Sequence, residues 1–243
     1  MTANENGGPG HKTIGLLGGT TPESTSAYYL RLTHEYTRRF GDQAFPRILI
    51  YSVVFQRLVD LVEAGRWDRV ADELVTAFET LRRAGADFGL ITANTLHLVL
   101  DEVAARTSLP LLSIVEVTVA EILRHELSRV ALLGTNPTME APLYPDALAR
   151  RGVETLVPEK VDRRAIHRII YDELSRGTIR DESRQKLLRI IGDLRERGAE
   201  GVILGCTELP MLVRPGEVDL PLIDTLEIHA DRALSMAVGE TGV

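Results

Sequence analysis

The sequence predicts an α/β fold of two similar lobes, each a parallel sheet flanked by helices. The lobes are expected to be related by internal pseudo-symmetry, with the active site in the cleft between them. Three observations carry that expectation: short apolar runs alternate with longer helical patterns, the runs are unbroken by polar residues, and both kinds of segment recur in one order. Unbroken apolar runs suit strands buried on both faces.

The first run, TIGLLG (13–18), opens into the glycine-rich turn GGTTPEST (18–25). There Thr21 suits the N-cap and Pro22 the first turn of a helix running to residue 40. The turn lacks the lysine of a P-loop and the G-x-G-x-x-G spacing, so it does not read as a nucleotide site. RILIYSV (47–53) is the next strand, and the helix WDRVADELVTAFETLRRAG (67–85) leads to the strands FGLIT (88–92) and LPLLSI (109–114). RVALLG (129–134) then runs into GTNPTME (134–140), which repeats the design of the first turn: glycine, threonine, proline, helix. Helices are expected over 160–176 and 181–198, followed by the strands GVILG (201–205) and LPLID (220–224). Residues 1–12 read as a disordered tail without the basic and apolar segments of a signal peptide. The first lobe is expected over 13–112, with a C-terminal helix at 224–240 returning to it, and the second over 113–223.

The repeat is visible in the residues. LRRAGADFGLITANTLHLV (81–99) aligns without a gap with LRERGAEGVILGCTELPML (194–212), an offset of 113 positions. IGLLGGT (14–20) resembles VALLGTN (130–136) at an offset of 116. Chance could supply either match alone; two matches at nearly one offset make duplication the better reading. In this register Ala93 corresponds to Cys206, each just past the C-terminal end of a strand, where ligands of open α/β sheets bind.

Composition narrows the function. A net charge of −7 argues against general nucleic-acid binding but not against a small anionic substrate, since a site can be locally positive. A single cysteine excludes an internal disulfide framework and a cysteine-based metal site, and it fits a reducing compartment. No metal is expected. No apolar stretch approaches the roughly 18 residues of a membrane span, so the expected setting is cytoplasmic and the expected partner a small molecule.

Cys206 reads either as a small core residue or as a reactive thiol. Gly205 before it permits close backbone approach. A helix starting near residue 207 would turn its positive end toward the thiol and favour thiolate. Asn94 and Thr95 either cap the following helix or donate hydrogen bonds to a carboxylate, and His97, one turn on, reads as structural. Backbone N–H groups and the hydroxyls of Thr20, Thr135 and Thr138 are placed to bind an anion. Asp224 reads as a cap of the last helix and His229 as packing.

Taken together, IGLLGGTTPEST, LLGTNPTME, GCTELP and IDTLEIHA resemble the aspartate/glutamate racemase superfamily over nearly the whole chain. GCTE, in place of the GCTH of glutamate racemases, points to the aspartate-type branch. The resemblance implies two α/β lobes, a homodimer and no cofactor. It implies that Asn94, Thr95, Thr135, Thr138 and Thr207 line the substrate site, with Glu208 beside the amino group. Members of the superfamily place two acid/base residues, typically cysteines, on opposite faces of the substrate α-carbon. Cys206 matches the second, and the first falls on Ala93, which has no acid or base. Thr92 is adjacent, but neighbours on an extended chain point to opposite sides. Val54, before Phe55, stands where relatives often carry a polar residue, which bears on the substrate side chain.

The implied activity is cofactor-independent racemisation of an aspartate- or glutamate-type amino acid, with Cys206 as one acid/base and the opposite base missing, by engineered knockout or natural loss. Two alternatives are a single-thiol decarboxylase or isomerase of a dicarboxylate, and a non-catalytic amino-acid-binding protein.

Overall fold

A computed structural model describes residues 11–240 of the chain. The expected tail lies outside the described residues except for His11 and Lys12. Those two are held in place: Lys12 N donates to Ala237 O at 2.8 Å, and the His11 ring meets Tyr36 edge-on.

The elements run β1 (Ile14–Gly18), α1 (Pro22–Phe40), β2 (Ile48–Ser52), α2 (Phe55–Glu63), α3 (Trp67–Arg83), β3 (Phe88–Ile91), α4 (Leu100–Ala104) and β4 (Leu111–Leu112). They continue as α5 (Ile114–Arg124), β5 (Arg129–Gly134), α6 (Asn136–Glu140), α7 (Leu143–Ala149), β6 (Glu154–Leu156), α8 (Lys160–Arg168), α9 (Asp181–Glu196), β7 (Gly201–Gly205), β8 (Leu222–Asp224) and α10 (Thr225–Val238). Two four-stranded parallel sheets result, with the orders β2-β1-β3-β4 and β6-β5-β7-β8. These are the same order, strand for strand, and the α/β fold predicted from the alternation is the observed one.

The strands β1, β3 and β7 are buried along their whole length, as helices on both faces demand. The second strand departs from the expectation of full burial: Ile50 is 45% exposed, because β2 is the edge of its sheet. β6 was invisible in the sequence; its three residues, ETL, form an edge strand with no apolar run. The helix expected over 160–176 is α8 continued by a π-helical turn (Ile169–Glu173) and a 3-10 turn (Leu174–Arg176).

The chain divides into two compact units. One holds the described residues through Thr92, Val99–Ser113 and those from His229 on; the other holds Ala93–Leu98 and Ile114–Ile228. In the first, Leu16, Leu17, Leu74, Phe78, Leu90 and Val103 are buried in the core. In the second, Ile122, Leu132, Leu148, Ile166, Leu187 and Ile203 are among the residues of one continuous cluster that also contains Cys206. Burying side chains of this size stabilises each unit by ~1.5–3 kcal/mol apiece. Ala93–Leu98 belongs to the second unit rather than with the rest of 13–112. Its polar side chains bond there, Asn94 to Thr225 and Tyr144, and Thr95 to Thr135 and Thr138.

Candidate active site

Strand register assembles the site at the C-terminal edge of the second sheet. Gly134 of β5 pairs with Gly205 of β7, and Leu204 pairs with Asp224 of β8. The next residues, Thr135, Cys206 and Thr225, therefore leave the sheet side by side. Gly205 is required by this closeness: a Cβ there would lie 2.8 Å from Leu133 O. Thr225 Oγ1 donates to Leu204 O at 2.9 Å and is fully buried. Thr135 caps α6, its hydroxyl accepting from Thr138 N at 3.4 Å.

The Ala93–Leu98 segment supplies the other wall. Thr95 Oγ1 lies 3.0 Å from both Thr135 Oγ1 and Thr138 Oγ1, and those two are 3.1 Å apart, so three hydroxyls form a closed triangle. Asn94 is 4% exposed; its Nδ2 donates to Thr225 Oγ1 at 3.0 Å, and Tyr144 O–H donates to its Oδ1 at 2.5 Å. Burial pushes the Tyr144 phenol above its ordinary range, so it stays a donor. The Asn94 and Thr95 side chains thus reach toward other loops, rather than capping the 3-10 turn Thr95–Val99.

His97 fixes this segment from beneath. Its Nδ1 is 2.8 Å from Ala93 O, and Ile114 N donates to its Nε2 at 3.1 Å. A carbonyl can only accept and a backbone N–H can only donate, so the ring is neutral with its hydrogen on Nδ1. Burial lowers its pKa from 6.5 to about 4.

Cys206 is 8% exposed and Glu208 is 4% exposed. The thiol donates to Glu208 Oε2 at 2.9 Å, and Thr207 Oγ1 donates to the same oxygen at 2.8 Å. The expectation of a thiolate at a helix start is overturned. The chain beyond Glu208 forms only a three-residue 3-10 turn beginning at Leu209, too short to carry a useful dipole. Burial pushes the thiol well above its usual range. The Glu208 charge pushes the same way, against a smaller pull from the backbone N–H groups of Glu208 and Thr207.

Comparison with known proteins decides the family. The family model described as Asp/Glu/Hydantoin racemase matches residues 17–233. The chain belongs to this racemase family. The Bacillus subtilis broad specificity amino-acid racemase RacX is 26% identical over 225 residues, covering 91% of this chain and 96% of that protein. An aspartate racemase homologue from Pyrococcus horikoshii is 38% identical, with a TM-score of 0.80 over 93% of this chain and 99% of its own. A Yersinia pestis structure assigned to the Asp/Glu racemases is 37% identical, with a TM-score of 0.86 over 93% of this chain and 99% of its own.

The remaining candidate residues of this racemase-family chain also have defined places. In the first sheet Leu17 pairs with Ile91, as Leu133 pairs with Leu204 in the second; two residues on stand Ala93 and Cys206. The two positions are equivalent in the repeat. Thr92 is turned away: its hydroxyl donates to Leu17 O at 3.0 Å and lies 3.2 Å from Thr20 Oγ1. Thr20 is 4% exposed and also bonds to Thr92 O, which Ser24 Oγ reaches at 2.6 Å. Thr21 caps α1, accepting from Ser24 N at 3.0 Å. Asp224 Oδ1 accepts from Leu226 N and Glu227 N at the start of α10. His229 is fully buried between Tyr28 O–H and Leu112 O. Val54 is 72% exposed. Sequence reasoning missed Tyr144 and Thr225, which hold Asn94; Tyr144 sits in no quoted motif, and Thr225 lies inside IDTLEIHA, where only Asp224 and His229 were singled out. A cavity of about 240 Å³ lined by α9 and residues 216–220 contains none of these side chains.

Among the described residues no group of three or more His, Cys, Asp or Glu could hold a metal ion, and no helix is long and apolar enough to cross a membrane.

Proposed function

We propose that the chain transfers protons at the α-carbon of an aspartate- or glutamate-type amino acid without a cofactor, with Cys206 as the acid/base on one face. The observation that supports this most is the junction of the Cys206 loop with the Asn94–Thr95–Thr135–Thr138 cluster in one unit. A thiol capable of proton transfer and a set of carboxylate-sized donors leave the same sheet edge. In this reading Asn94, Thr95, Thr135, Thr138 and Thr207 bind the α-carboxylate, and Glu208 receives the ammonium. Thr20 acts only from behind, by holding Thr92 and the strand end before Ala93.

As a thiolate, Cys206 removes the α-proton; the carbanion's charge spreads into the carboxylate, which the hydroxyls stabilise; the thiol then returns a proton to the same face. Ala93 offers nothing to the opposite face, so exchange without inversion is the expected outcome. The reading includes a homodimer, carried by the family resemblance, in a cytoplasmic setting that suits the lone thiol.

The test is incubation of L- and D-aspartate and L- and D-glutamate in D2O, with NMR for loss of the α-hydrogen and chiral separation of the products. One enantiomer should exchange slowly with little product of the other hand, and Cys206→Ser should abolish exchange. Ala93→Cys should raise racemisation by ~10²–10⁴-fold, the usual contribution of a positioned acid/base group. Rapid racemisation by the unmodified chain would defeat the assignment, since a second base would then exist elsewhere. A second reading, a single-thiol decarboxylase or isomerase of a dicarboxylate, is favoured by one observation: the thiol is placed as a hydrogen-bond donor, to Glu208 Oε2 at 2.9 Å, and a donor is what a carbanion needs. Turnover of a substituted malonate or of maleate would select it.

A further inference from the structure

We propose that Asn136 is a further substrate-binding residue: its Oδ1 accepts a hydrogen bond from the ammonium group of the bound amino acid, and His167 holds the residue in place. The inference rests on the proposed amino-acid site at the edge of the second sheet.

Unpaired polar atoms point to Asn136. Among the described residues three buried side-chain oxygens have no hydrogen-bond partner: Glu23 Oε2, Asn136 Oδ1 and Thr155 Oγ1. Glu23 belongs to the other unit, and Thr155 lies in the edge strand β6. Asn136 stands between Thr135 and Thr138, whose hydroxyls each meet Thr95 Oγ1 at 3.0 Å. A buried acceptor that bonds to nothing in the protein has given up water and gained no partner, so it favours a ligand that brings a donor.

The backbone that carries this oxygen is fixed. Asn136 N donates to His167 Nδ1 at 3.2 Å, and the imidazole lies against the Tyr171 ring with 4.6 Å between centroids. Both rings come from α8 and the π-helical turn that continues it. On the other side, Thr135 O accepts from Met139 N at 3.0 Å, and the Thr135 hydroxyl accepts from Thr138 N. Strand register sets the residue beside the Cys206 loop. Gly134 pairs with Gly205, so Asn136 and Thr207 each stand two residues past the paired glycines, with Glu208 next.

Chemistry then names the donor. Near neutral pH an aspartate- or glutamate-type substrate has carboxylates, which only accept, and an ammonium, which only donates. Threonine hydroxyls can donate to the carboxylates; an amide carbonyl oxygen cannot. Oδ1 therefore fits the ammonium. It is also uncharged, so it adds an acceptor for the ammonium without setting another negative charge beside the hydrogen-bonded Cys206 and Glu208.

The experiment is calorimetric titration of the unmodified chain, Asn136→Ala and Asn136→Asp with aspartate and with succinate, which is aspartate without its ammonium. Asn136→Ala should lose about 10- to 100-fold in aspartate affinity, the usual contribution of a hydrogen bond to a charged group. Its succinate affinity should change little. Asn136→Asp keeps an acceptor at the same place; it should restore aspartate binding and weaken succinate by charge repulsion. Equal losses on the two ligands would overturn the proposal, because a disturbed loop, or a bond to a carboxylate, acts on both. So would an unchanged aspartate affinity, the result expected if Oδ1 meets only water. If Asn136→Ala does not fold by circular dichroism, Asn136→Asp decides alone: a higher ratio of aspartate to succinate affinity supports the role, and an unchanged ratio overturns it. Deuterium exchange keeps this apart from the function itself. Exchange that depends on Cys206, together with equal losses, removes only the role of Asn136. If the unmodified chain binds neither ligand and exchanges no substrate, the proposed site falls, and the role of Asn136 with it.

Discussion

His97 should make the chain lose stability in mild acid. In the folded state the ring is 3% exposed, neutral, and bonded at both nitrogens, with a pKa lowered from 6.5 to about 4 by burial. The unfolded chain takes up a proton on this ring near its ordinary value; the folded chain does not until about pH 4. Between those values acid favours unfolding. The stabilisation is fully present above 6.5 and is lost as pH falls through the window toward 4. A shift of this size, at ~1.4 kcal/mol per unit, makes the loss about 3 kcal/mol. Protonation would also set a hydrogen on Nε2 against Ile114 N–H, detaching the segment that carries Asn94 and Thr95.

The comparison is between the unmodified chain and His97→Gln, which stays polar but cannot titrate. Urea unfolding monitored by circular dichroism should be run in half-unit steps from about pH 7.5 to about pH 4. At neutral pH the variant should be less stable by ~1–3 kcal/mol, the cost of disturbing buried hydrogen bonds. Toward pH 4 the gap should close, because only the unmodified chain keeps losing stability through this ring. The difference between the two curves isolates His97 from the other five of the chain's 6 histidines. Curves that stay parallel across the window would refute the buried, neutral assignment.

Three further outcomes are expected. Tyr144→Phe removes the donor to Asn94 Oδ1; it should cost ~1–3 kcal/mol of stability, since it strands a buried acceptor, and should weaken amino-acid binding by calorimetry. Asn94→Ala should weaken that binding too, and unchanged affinity would place the carboxylate elsewhere. Gly205→Ala puts a Cβ 2.8 Å from Leu133 O, so a drop in stability of ~1–3 kcal/mol is expected, read as a lower melting temperature.

How much of the fold was legible in the sequence depends on where each signal arises. β1, β3, β5 and β7 were legible because their sheets bury them, and burial leaves an apolar run in the sequence. β6 left none, because an edge strand of three residues can be polar. The site loops were legible through the repeat, which brought Asn94, Thr95, Thr135 and Thr138 forward together. Tyr144 and Thr225 had no such marker. Their roles exist only because α7 and the start of α10 are folded against the Asn94 loop. The turn after Cys206 was expected to start a helix near residue 207. Its backbone instead closes at three residues, with Leu209 N on Cys206 O.

The repeat also shows why chemistry is harder to read than fold. The sheets share one strand order, and the pairs Leu17–Ile91 and Leu133–Leu204 share one register. One residue further on, the halves part. Thr92 spends its hydroxyl on Leu17 O and Thr20, while Gly205 has no side chain and packs directly on the backbone of β5. One more residue gives a methyl group on one side and a thiol bonded to a carboxylate on the other. Backbone geometry survives such divergence because it depends on apolar pattern and register, which tolerate change at the strand end. Proton transfer depends on one atom at that end and on what bonds to it. For that reason no apolar pattern encodes the hydrogen bond from the Cys206 thiol to Glu208, two residues along its own turn.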